Sequence, residues 1–286
     1  MSASPSLTDT LPSAQIVAAG QVVSEAPLGA IDAGVPPVRT LRPAVEIYSD
    51  SETLMHAAAD RIARHARRAL GARGRFSIAL SGGTTPRRLY ELLARPPFGT
   101  RIDWSRVDVF WGDERCVPRD HPESNYRMAC EALLDRVPIP PENVHRIAGE
   151  DEPQQAARAY EQTLRSYFKT AEGPPKRSFD LVLLGMGDDG HTASLFPGTP
   201  AVTELQRWVM PTIGPHGMWR ITLTPVVIDA ATAITFLVAG AAKADRLKEA
   251  LEREQANLPV QFIRPTHGAV TWMVDAPAAS RVRRTR

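Results

Sequence analysis

From Ala44 onward the chain alternates short apolar runs with amphipathic stretches. Val45-Glu46-Ile47-Tyr48 reads as a short strand. Ser49 and Glu52 have the spacing of a capping box, and Leu54, Ala58, Ile62, Ala66 and Leu70 then recur on one helical face until Gly71 and Gly74. Phe76 to Leu80 predicts the next strand and Pro86 to Leu93 the next helix. The alternation continues with a strand over Val107 to Trp111, a helix over Tyr126 to Leu134 and a long polar helix over Pro153 to Tyr167. Phe179 to Gly185 is apolar with no two-residue rhythm, as a parallel strand covered on both faces should be. Strands over Trp219 to Leu223, Ala233 to Ala239 and Thr271 to Val274, with a helix over Ala241 to Leu251, complete the pattern. Strands regularly separated by helices predict an α/β domain with a doubly wound, mostly parallel sheet.

The first 43 residues break this rhythm. They are rich in Ala, Ser, Pro and Gly, and pieces such as Gln15-Ile16-Val17-Ala18 are too brief to build a core. The expected organisation is a disordered tail over 1–43 and one domain over 44–286. A net charge of +2 gives no electrostatic case for a nucleic-acid partner. Nothing approaches the roughly 18 uninterrupted apolar residues of a membrane span. No basic residue precedes Arg39 to start a signal peptide, so the cytoplasm is the expected compartment. Cys116 and Cys130 fit no metal spacing and read as reduced thiols.

The chemistry-bearing motifs fall at the carboxyl ends of the predicted strands, where doubly wound folds bind their ligands. Ser81-Gly82-Gly83-Thr84-Thr85-Pro86 joins a strand to a helix start and suits an anion: glycines admit close approach, hydroxyls donate, and the helix N-terminus favours negative charge. Its bland reading is a tight turn with an N-cap. Trp111-Gly112-Asp113-Glu114-Arg115 follows another strand; alone it is equally a solvated salt-bridge cluster. Gly185, Gly187 and Gly190 form a literal G-x-G-x-x-G, but Asp188 and Asp189 would repel a pyrophosphate and Pro197 cuts short the helix that should follow. A dinucleotide is therefore not expected. What remains is His191 two residues after Asp189, the arrangement of a carboxylate-oriented imidazole that takes a proton from water. A His satisfied by backbone and a metal site stay open as alternatives, although no second His clusters with it. Arg220 opens a strand. Lys243 stands where a strand gives way to a helix, in a chain with Lys elsewhere only at Lys169, Lys176 and Lys248. Either cation suits a phosphate contact or ordinary surface charge.

These segments, with Ser124-Asn125-Tyr126 and the run Gly190-His191-Thr192-Ala193-Ser194-Leu195-Phe196-Pro197, resemble the 6-phosphogluconolactonase family of the glucosamine-6-phosphate isomerase superfamily. The similarity runs from about residue 44 to Asp275. It implies a modified Rossmann-like fold and hydrolysis of 6-phospho-D-glucono-1,5-lactone to 6-phosphogluconate without metal or organic cofactor. The expected partners are that small sugar-phosphate lactone and at most a small homo-oligomer, the chain otherwise acting as a monomer. Carried over position by position, the resemblance implies that Gly82, Gly83, Thr84 and Thr85 grip the phosphate with Arg220 and Lys243. It implies that His191 activates water with Asp189 orienting it and that Arg115 stabilises the oxyanion; should His191 not be the base, Asp113 is the first carboxylate to consider. The related deaminases of glucosamine 6-phosphate carry a Glu five residues after the His, and here that position is Phe196. A sugar-phosphate-sensing regulator would need a DNA-reading domain, which the tail cannot supply.

Overall fold

The protein is described by a computed structural model covering residues 15–17, 43–253, 256–265 and 267–283. Its main sheet contains β1 (Gln15–Val17), β2 (Ala44–Tyr48), β3 (Phe76–Leu80), β4 (Val107–Trp111), β6 (Leu181–Leu184), β9 (Ala233–Val238) and β10 (Ala269–Asp275). Their order is β1-β2-β10-β9-β6-β3-β4, and every pairing is parallel except β1 with β2. The expected α/β class and mostly parallel sheet are therefore observed. β3, β4, β6 and β9 are buried at every position, which explains why they are mostly apolar without a regular polar alternation. The tail expected over 1–43 falls mostly outside the described residues. Gln15–Val17, too short to suggest an element in the sequence, pairs antiparallel with β2 and forms one edge of the sheet.

Three local expectations change. Asp50, not Ser49, caps α1 (Ser51–Arg73): its Oδ1 accepts the Thr53 N–H at 2.8 Å, and Ser49 donates its hydroxyl to Asp50. The capping-box reading was one residue out of register, because the ionised Asp is an available acceptor nearer the first turn. The helix also runs through Gly71 and stops at Gly74, whose N–H closes the last turn on Leu70 O at 2.9 Å. Third, Trp219–Leu223 does not join the parallel sheet. It is β8 of a second, antiparallel sheet ordered β5-β8-β7, with β5 at Asp113–Arg115 and β7 at Val209–Ile213.

Gly112 couples the two sheets. Its N–H bonds Leu80 O in the main sheet and its carbonyl accepts the Leu223 N–H, both at 2.8 Å. α2 (Thr84–Leu93) packs between α1 and α3 (Asn125–Ala132), and α4 (Pro153–Phe168) packs against β7 and β8. Two further helices, α5 (Pro225–Ile228) and α6 (Ala244–Glu252), flank β9 in sequence.

The sheet order places the functional crevice. From β3 the chain steps to β4 on one side, and β6 then lies on the other side of β3. Loops after β3 and β6 thus diverge at a topological switch point, which opens a crevice at the strands' carboxyl ends.

Candidate active site

The loop after β3 enters α2 at Thr84, earlier than the Pro86 start read from the sequence. No side chain caps α2 among the described residues, so the Thr84 and Thr85 N–H groups at its start remain free to bind an anion. Tyr90 fixes this loop from below. Its buried hydroxyl accepts the Ser81 N–H at 3.0 Å and donates to Ser81 O at 2.9 Å. Gly82 is required by close approach: a Cβ there would collide with the Asn125 side-chain amide.

The loop after β6 holds Asp189 and His191. Gly187 donates to His191 O at 2.8 Å, and Gly190 turns the chain at φ +84°. Asp189 Oδ1 accepts the His191 backbone N–H at 3.0 Å and lies 2.6 Å from Nδ1 of its ring. Burial pushes the Asp189 carboxyl up, but the His191 N–H and imidazole outweigh it and hold the carboxyl below its ordinary range. An imidazole donating Nδ1–H to a carboxylate presents its Nε2 lone pair outward. The Phe196 ring packs against the other side, 4.7 Å away between centroids. The loop is backed by a short segment near the C-terminus, where Val260 donates to Gly190 O at 3.2 Å.

The small sheet supplies the cations. Arg115 and Arg220 are direct cross-strand partners, as are Asp113 and Thr222, so all four share one face. Ser194 in the His191 loop donates its N–H to Thr222 Oγ1 at 3.1 Å, which sets that face against the loop. Arg220 converges with Phe196 at Gly214, and its buried Nε bonds no group among the described residues. Burial, then repulsion from Arg115, depresses the Arg220 guanidinium below its ordinary value. Two adjacent guanidiniums, one of them with an unsatisfied donor, have the chemistry to hold an anion. Lys243, on the loop after β9, bonds Asp188 of the His191 loop at 2.6 Å.

Strand pairing and hydrogen bonds thus link Asp113, Arg115 and Arg220 to the loop that holds Asp189 and His191, and Lys243 bonds that same loop at Asp188. Gly82, Gly83, Thr84 and Thr85 form the neighbouring wall after β3. Asp113 is buried, with Oδ2 accepting from Ser194 Oγ at 2.6 Å and Oδ1 from Asn125 Nδ2 at 3.3 Å. It is engaged with its neighbours rather than open to the crevice. Glu114, also buried, accepts the backbone N–H groups of Arg115, Asn125 and Tyr126 at 2.7–2.8 Å and the Ser124 hydroxyl at 3.1 Å. It holds the start of α3 against β5. Asn125 and Ser194 stand within the sequence motifs without a role legible there, because their partners lie at distant positions in the chain.

A family model described as glucosamine-6-phosphate isomerases/6-phosphogluconolactonase matches residues 49–272. A 6-phosphogluconolactonase of Synechocystis sp. is 42% identical over 85% of this chain and 100% of its own length. One from Mycobacterium leprae is 42% identical over 83% of this chain and 98% of that protein. Among solved structures, 6-phosphogluconolactonase from Trypanosoma cruzi superposes with a TM-score of 0.74 at 32% identity, covering 83% of this chain and 96% of that one. A monomeric glucosamine-6-phosphate deaminase, 20% identical with a TM-score of 0.72, shares the fold.

Proposed function

Because the chain belongs to the glucosamine-6-phosphate isomerase/6-phosphogluconolactonase family and is an enzyme, we propose that it hydrolyses 6-phospho-D-glucono-1,5-lactone through water activated by His191. The observation that carries this reading is the Asp189–His191 pair, whose Nδ1 contact leaves Nε2 of the ring as the free acceptor, on a loop that Ser194 ties to the small sheet bearing Arg115 and Arg220. The catalytic unit is assigned to residues 44–286.

In this mechanism the phosphate lies on the free N–H groups at the start of α2, with Arg220 and Lys243 as counter-charges. Nε2 of His191 takes a proton as water attacks the lactone carbonyl. Negative charge then develops on the carbonyl oxygen, where Arg115 stabilises it. Collapse of the tetrahedral intermediate breaks the bond between the carbonyl carbon and the ring oxygen, and the imidazolium returns its proton to that oxygen. Asp189 keeps the ring in the tautomer and orientation this sequence requires. The Phe196 ring against His191 supports hydrolysis over isomerisation with deamination, because it supplies no carboxylate for ring opening.

The test follows acid release when freshly prepared 6-phosphogluconolactone meets the purified protein in excess chelator. Rapid release well above the spontaneous rate is expected. Activity that vanishes with chelator and returns with zinc would overturn the cofactor-free mechanism.

A further inference from the structure

The mechanism leaves unexplained how Arg115 is aimed. A long guanidinium side chain on a strand end samples many rotamers unless something holds it, and a carboxylate placed to hold it would neutralise the charge the reaction needs. The chain resolves this conflict with two neutral acceptors. Nη1 of Arg115 donates to the Glu123 carbonyl at 3.2 Å and to Oδ1 of the Asn125 side chain. Asn125 is itself locked, since its Nδ2 donates to Asp113 O at 2.9 Å and to Asp113 Oδ1 at 3.3 Å. The other Asp113 oxygen accepts from Ser194 Oγ, three residues beyond His191. Asn125, Asp113 and Ser194 are at most 6% exposed.

We propose that Asn125 and Ser194, joined through the Asp113 carboxylate, are positioning residues that hold the Arg115 guanidinium at a fixed separation from the His191 loop. The proposal rests on the reading that Arg115 stabilises the oxyanion. Asn125 stands between Asp113 and Arg115 and passes on orientation while keeping the anion from pairing directly with the cation. The same amide fills the space over Gly82, so one side chain ties the loop after β3 to β5 and the start of α3. Asp113 then serves as the hub of this bridge, with both oxygens occupied, rather than as a proton acceptor for water.

The test is a double-mutant cycle on the full chain, with kcat, KM and melting temperature measured for each variant. Asn125→Ala is expected to lower kcat by about 10- to 100-fold, the size of a lost hydrogen bond to a charged group, and to leave KM within about threefold. Ser194→Ala, which removes one oxygen and is the variant to rely on if Asn125→Ala does not fold, is expected to lower kcat by about 3- to 10-fold. A residue that acts only through Arg115 adds nothing once Arg115 is gone, so Arg115→Ala combined with either change should match Arg115→Ala alone. Asn125→Asp provides an independent readout. It keeps an acceptor at Arg115 but makes it an anion, and kcat should fall at least as far as in Asn125→Ala.

Losses that multiply in the double variants, or a wild-type kcat in Asn125→Ala or Ser194→Ala beside an impaired Arg115→Ala, would overturn the bridge while leaving the role of Arg115 intact. A wild-type kcat in Arg115→Ala itself would remove that role, and this proposal with it.

Discussion

Two aspartate–histidine pairs lie at opposite ends of the main sheet. Asp189 and His191 sit past the carboxyl end of β6, 2.6 Å apart. Asp108 and His145 sit near the start of β4, 3.1 Å apart. The residue types are the same and the surroundings are opposite. The Asp108 side chain is 2% exposed and accepts from Arg75 at 2.8–3.0 Å and from the Tyr167 hydroxyl at 2.9 Å as well as facing His145. Burial pushes its carboxyl up, but the bonds to His145, Tyr167 and Arg75 together hold it below its ordinary value. The His145 ring stacks on Phe110 at 4.4 Å. The Asp189 side chain, by contrast, is 46% exposed and serves one residue, while Arg220 on the small sheet keeps an unsatisfied donor. On the proposed mechanism, the pair that reacts is the one with a lone pair and a charge left over. Where every acceptor is occupied, the same pair is a clamp.

The largest expected effect tests this contrast directly. His191→Asn should lower kcat by about 10²–10⁴-fold with KM nearly unchanged, whereas His145→Asn should leave kcat within about twofold. Asp189→Asn should fall between wild type and His191→Asn, since it removes an orienting group and leaves the base. Comparable losses from the two histidine substitutions in the acid-release assay would break the comparison.

Cations should divide in the same way. Arg220→Ala and Lys243→Ala should each raise KM by roughly 10- to 100-fold with kcat little changed, because a phosphate is held in ground and transition states alike. Arg220 should show the larger effect, since its Nε is unsatisfied whereas Lys243 already bonds Asp188. Arg75→Ala at the far end should leave KM unchanged. Unaltered KM values for both site variants would put the phosphate elsewhere.

The smallest effect belongs to the clamp and should appear in stability alone. Asp108→Asn weakens a buried hydrogen-bonded cluster, at about 1–3 kcal/mol. Thermal unfolding should register roughly 2–4 °C per kcal/mol in a domain of this size, with unchanged kinetics. The folded-state value of Asp108 is lowered, so its stabilisation is complete above the unfolded value of 3.8 and is lost as pH falls through the folded one. The gap between wild type and Asp108→Asn should therefore close only in strong acid. A gap that closes near neutral pH would show that another group carries the effect.

The sequence by itself determined the class of the fold, because a buried parallel strand has to be apolar on both faces and Phe179 to Leu184 nearly is. It also marked the loops at Ser81, Asp113 and Asp189, since glycines, hydroxyls and paired charges cluster locally at strand ends. The reach of Asp189 to His191 is local too, spanning two residues. Tertiary structure alone decided the rest. The split of β5, β7 and β8 into their own sheet depends on pairings far apart in the chain, where short strands carry little periodic signal. Asp108 with His145 and Asp113 with Ser194 likewise join residues separated by 37 and 81 positions. Whether a carboxylate clamps or activates depends on how many donors packing brings to it, and linear spacing does not encode that number.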